Sequence, residues 1–138
     1  ATTVRRDLAV CLLRRAELNG DLSALAQAEA SFRADLAHVA PGVDPVAWAL
    51  CQMDLARVYE VRAEIVGRDD GERAAAAIAL SAAMDVFAEQ GLRSLTDAAH
   101  RKAMVALAIG GAAEGAATLG RGPARTPAWP RAAMRRQH

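Results

Sequence analysis

The chain has 138 residues, 53% of them apolar but only 4% aromatic, and alanine alone makes up about a quarter. That composition favours helix over a stacked β core. Its 17 basic and 16 acidic residues nearly cancel, which excludes an acidic disordered chain and a uniformly basic nucleic-acid binder, and two cysteines exclude a disulfide framework. Leu8, Cys11, Leu12 and Leu18 fall on one face of a first helix, which Gly20 is placed to end. Asp21 is a natural N-cap for a second helix with the stripe Leu22, Leu25, Phe32, Leu36 and Val39, broken by Pro41-Gly42. Asp44-Pro45 opens a third helix, with proline in the first turn where its missing N–H costs nothing. This helix carries Trp48, Cys51, Leu55, Val58, Tyr59 and Ile65 and runs to about Gly67. After the turn Asp69-Asp70-Gly71-Glu72 comes a fourth helix with Ile78, Leu80, Met84 and Phe87, closed by Gly91. Ser94-Leu95-Thr96-Asp97 reads as a capping box for a fifth helix through about Ile109. No segment alternates with period two, so the body is expected to be all-α.

From Gly110 on, five glycines arrive by Gly122, followed by Pro123, Pro127 and Pro130, a stretch expected to hold at most a frayed helix. The expected division is therefore a helical domain over 1–110 and a Gly/Pro/Arg-rich tail over 111–138. Charge follows the same division. Residues 1–120 carry a net −4 and residues 121–138 a net +5, with no acidic residue after Glu114. Trp129, Arg131 and Arg135 are the tail's candidate contact residues, either on the acidic body or on a neighbouring copy. Nucleic acid is the less favoured counterpart, needing arginine–phosphate contacts with one stacking ring.

Sliding the chain on itself gives one internal repeat. At an offset of 47, Leu8-Ala9-Val10-Cys11-Leu12 lies over Leu55-Ala56-Arg57-Val58-Tyr59, and Arg15-Ala16-Glu17 over Arg62-Ala63-Glu64. Leu18 pairs with Ile65 and Gly20 with Gly67. The run from Asp44 to Ala56, with its Pro45, Trp48-Ala49, Gln52 and Leu55-Ala56 ahead of Tyr59, resembles the repeat junction of bacterial tetratricopeptide-like proteins. The Ala76, Leu80, Ala83-Met84 spacing is similar to the second helix of that repeat. The first unit lacks the Pro-Trp entry and the second is longer than the standard repeat.

The resemblance implies a short α-solenoid of antiparallel helix pairs, about five helices in all. It also implies a concave groove on the first, third and fifth helices that binds a peptide or helix of another protein. Transferred onto this chain, the groove positions are Thr3, Arg6, Val10, Leu13 and Arg14 in the first unit. In the second they are Leu50, Met53, Asp54, Arg57, Glu60 and Val61. Leu13 lies off the Leu8–Leu12 stripe, so an exposed contact leucine is expected there.

Chemistry-bearing patterns are sparse, and no enzymatic activity or cofactor is expected. Asp97 and His100 share a helix face without the further ligands a zinc ion needs, and His38 suits a helix C-terminus. Asp69–Glu72 lacks the ligand spacing of a calcium loop, and Cys11 and Cys51 read as buried structural thiols. The glycine pairs follow no strand and lack the Gly-Lys-Ser/Thr of a phosphate loop. The second functional reading is a regulatory or sensor bundle, binding a small molecule near Trp48 and Tyr59 or dimerising. With no apolar run of membrane-spanning length and no signal-peptide core, a cytoplasmic protein is expected.

Overall fold

Asp21 and Asp44 begin two of the five helices in the computed structural model, which describes the backbone of residues 2–121 and the side chains of residues 6–109. The elements are α1 (Thr2–Asn19), α2 (Leu22–His38), α3 (Pro45–Val66), α4 (Glu72–Glu89) and α5 (Arg93–Arg121), with no strand among the described residues. The Asp21 carboxylate accepts from the Ala24 amide at 3.0 Å and Asp44 from Ala47 at 3.2 Å, each satisfying an amide that the first turn leaves open. Pro45 stands in the first turn of α3, and Gly67 ends that helix in the left-handed region at φ 75°. Only a residue without Cβ enters that conformation at no steric cost. Asp69 closes the next turn by accepting from the amides of Gly71 and Arg73.

Two starts and ends differ from expectation. α5 begins at Arg93, one residue before Ser94, so the capping box does not form; the Thr96 hydroxyl instead donates to the Leu92 carbonyl at 2.9 Å. α5 also continues through the glycines to Arg121, and the expected boundary at 110/111 falls inside it. Each glycine costs a helix about 1 kcal/mol relative to alanine, but Ala112, Ala113, Ala116, Ala117 and Leu119 are interleaved with them. Pro123, two residues beyond Arg121, disfavours helical geometry in the residue before it.

Each helix packs on its neighbours in the chain, and α1 also touches α3. One core joins α1, α2 and α3 through Ala9, Leu13, Ala16, Leu25, Phe32 and Val58, with Leu55 and Val61 beside them. Two further clusters join α3, α4 and α5, one around Ala56, Leu80 and Ala103 and the other around Ala49, Phe87 and Ala99. Much of the alanine excess is spent here: small side chains at these crossings let backbones approach closely around a few large ones.

The buried face of α1 is a correction. Leu13, expected to be exposed, is 6% exposed, whereas Leu8 and Leu18, expected to be core, are 60% and 76% exposed, and Cys11 is exposed as well. The helix is turned so that Ala9, Leu13 and Ala16 meet α2 and α3. Small Ala9 and Ala16 flank one large leucine, which permits closer packing than the Leu8–Leu18 stripe would.

Candidate functional site

Burial of the apolar faces brings α1 against α3 with polar side chains left along their seam. Arg6 on α1 reaches Asp54 on α3, both Nε and Nη2 lying 3.0 Å from one carboxylate oxygen. One turn further along α3, Arg57 donates to Glu17 of α1 at 3.1 Å and to Glu60 and Glu64 on its own helix at 3.3 Å each. Arg14 pairs with the same Glu17 at 3.5 Å. The carboxylates around Arg57 outweigh its partial desolvation and raise its pKa, so it stays charged throughout the accessible range.

Asp54 is paired with Arg6 of α1 and also feels the charge of Lys102 on α5. Burial pushes its carboxyl above the usual range, while the charge and hydrogen bond of Arg6, and then Lys102 on α5, pull the other way without fully cancelling it. Lys102 links α5 electrostatically to the seam between α1 and α3.

Five of the expected groove residues are thus ion-paired, in two groups: Arg6 with Asp54, and Arg14, Arg57 and Glu60 in the network around Glu17. Leu50 and Met53 are half-buried against the cluster around Phe87, and Val10 is exposed at the edge. Leu13 and Val61 are buried in the α1–α2–α3 core and present nothing to a partner, because both turn toward α2. The side chain of Thr3 lies outside the described residues, as do Trp129, Arg131 and Arg135. Glu17, Glu64 and Lys102 were missed. The repeat itself pairs Glu17 with Glu64, and their common position beside Arg57 was the signal that could have found the first two. Lys102 required knowing how α5 approaches α3.

The opposite side of α3 holds an open cleft of 270 Å³, lined by Trp48, Gln52, Leu55 and Tyr59 of α3 and by Ala75 and Ile78 of α4. Alanines on α4 leave the space that larger side chains would fill. The Tyr59 hydroxyl accepts from Arg33 of α2 at 2.8 Å, and the Arg33 guanidinium also lies 5.9 Å from the Tyr59 ring centre. Arg33 and Arg62 both bind Glu29. Burial pushes Glu29 up, but the hydrogen bonds from Arg62 and Arg33 prevail and hold its carboxyl below the ordinary range. Trp48 and Tyr59 therefore serve both the core and the wall of this cleft, which is open rather than closed.

The two thiols differ. Cys11 is exposed, contrary to expectation, because α1 is turned away from its stripe. Cys51 is buried, donates to the Phe32 carbonyl at 3.4 Å, and is pushed up to about 12, first by desolvation and then by the charges of Asp35 and Asp54. Such a thiol is not a nucleophile near neutral pH. Among the described residues no three His, Cys, Asp or Glu side chains converge as a metal site, and no helix is long and apolar enough to cross a membrane. No protein-family model, no curated protein and no solved structure matches the chain.

Proposed function

We propose that this chain is a non-enzymatic interaction scaffold of the tetratricopeptide-like kind, its helix pairs antiparallel in a short solenoid. A peptide or helix of another protein would lie across α1, α3 and α5. The observation that carries the reading is the Arg6–Asp54 pair between α1 and α3, with Lys102 of α5 acting on the same carboxylate. Odd-numbered helices sharing one charged face are what such a groove requires. Arg57 and Arg14 offer forked donors that can exchange their intramolecular glutamates for carboxylates of a partner: Arg14 is exposed and Arg57 half-buried, and exposed ion pairs are worth only about 0–1 kcal/mol each.

The open cleft at Trp48 and Tyr59 favours a second reading, in which the chain is a regulatory or sensor bundle with a small apolar ligand against α3 and α4. Site-specific photo-crosslinking separates the two. A photoreactive residue at Arg14 or Glu60 is expected to capture one partner protein, while the same residue at Gln52 or Ile78 captures none. Arg14→Glu in the Glu60 crosslinker background should abolish that capture. Equal capture from both faces, or capture indifferent to Arg14→Glu, would reject the groove.

A further inference from the structure

α5 buries Ala99, Ala103 and Ala106 and turns a second, unpartnered face outward. Asp97, Arg101, Met104, Val105 and Ala108 recur on that face at helical spacing, and all are exposed, Met104 and Val105 by 53% and 56%. No described element covers it. Beyond the end of α5 at Arg121 the chain runs for 17 more residues, which carry a single aromatic residue, Trp129, between Pro127 and Pro130. They hold four arginines and no acidic residue.

We propose that residues 122–138 fold back along α5 and seat Trp129 on Met104 and Val105. The reach agrees. A proline-rich segment advances about 3.1 Å per residue, carrying Trp129 about 25 Å from Arg121. With a helical rise of 1.5 Å, Met104 also lies about 25 Å back along α5 from Arg121. The charges agree in the same register. Arg131 falls within an arginine's length of Asp97, on the same stripe as Met104. Arg135, about 43 Å out, comes to the α4–α5 junction, where Asp85 and Glu89 are exposed. Neither these two nor Asp97 has an ion-pair partner among the described residues. An indole against a thioether and a branched aliphatic side chain buries apolar area that α5 otherwise leaves to water, and sulfur–aromatic contact adds to it.

The test uses the full chain with Trp48→Phe, so that Trp129 is the only tryptophan. Its emission is expected to be blue-shifted, with acrylamide quenching severalfold weaker than in the same chain carrying Met104→Glu. Asp97→Arg should loosen the contact partway, and added salt should do the same to the parent. Met104 and Val105 are half-exposed, so Met104→Glu and Val105→Glu are expected to leave helicity intact. Should Trp48→Phe disturb folding, the fluorine resonance of 5-fluorotryptophan at position 129 in the otherwise unchanged chain reads the same contact. Quenching unchanged by both Met104→Glu and Val105→Glu overturns the proposal. Protection that disappears on dilution also overturns it, because the indole then docks on a second copy rather than on its own helix.

Discussion

The orientation of α1 is tested by comparing Leu13→Ala with Leu8→Ala. Leu13 is 6% exposed and packs among Ala9, Leu25, Phe32 and Val61, so its truncation removes nearly the whole side-chain transfer term and leaves a cavity. Core Leu→Ala changes cost about 2–5 kcal/mol, and with alanines already lining this crossing the site cannot collapse inward, which places the expectation near 3 kcal/mol. Leu8 is 60% exposed, so less than half of its transfer energy is at stake and no cavity forms; below about 1 kcal/mol is expected. For a chain of this length that separates the two variants by roughly 6–10 °C in Tm. Urea unfolding followed by far-UV circular dichroism reads the same difference as a shift of midpoint at constant slope. A Leu8→Ala cost equal to or above that of Leu13→Ala would mean that the Leu8–Leu18 stripe is the buried one after all, and would refute the packing described for α1.

Thiol chemistry gives a second prediction: at pH 8 one thiol of the folded chain, Cys11, reacts promptly with a disulfide reagent, while Cys51 reacts only at the rate of global unfolding. Cys11→Ser should remove the fast phase entirely; a fast phase that survives it would contradict the burial of Cys51. A third concerns pH. Because Glu29 titrates lower in the folded chain than in the unfolded one, its contribution to stability is present above the unfolded carboxylate pKa of about 4.3 and is lost as pH falls through the folded value. Glu29→Gln should therefore lower the urea midpoint at pH 7 and converge with the parent in acid, and a gap constant across that range would exclude the Arg33–Glu29–Arg62 bridge as its cause.

Where the helices lie was largely legible, because their boundaries are local chemistry. The carboxylates of Asp21 and Asp44 satisfy their own first turns, Pro45 needs no donor, and Gly67 takes the one conformation that other residues avoid. None of these depends on a neighbour. The length of α5 was not legible, since its glycines argued against helix while the alanines between them argued for it, and the balance is small per residue. The charged seam was half legible. The tetratricopeptide resemblance named Arg6, Arg14, Asp54, Arg57 and Glu60 as groove positions but not their pairing across the seam, and Lys102 required knowing which face of α5 approaches α3. The Trp48–Tyr59 cleft depends on the absence of bulk at Ala75 and Ala82, which only the packing of α4 reveals.

The α1 correction follows from the repeat once neighbours are considered. Leu8, Cys11 and Leu18 have the repeat positions of Leu55, Val58 and Ile65. In α3 those positions join the core with Leu25 and Phe32 of α2; in α1 no described helix stands on the corresponding side. Periodicity specifies which side of a helix is apolar, but only an adjacent element makes that side a core. Relieved of that neighbour, α1 is held by Ala9, Leu13 and Ala16, whose repeat counterparts are Ala56, Glu60 and Ala63. The alanines are buried in both units, so they mark the shared framework. Leu13 and Glu60 mark the divergence: where α3 offers a carboxylate to the seam, α1 commits a leucine to the core. A partner lying across the proposed groove would therefore meet most of its polar contacts on α3, with Arg6 and Arg14 of α1 supplying the positive edge.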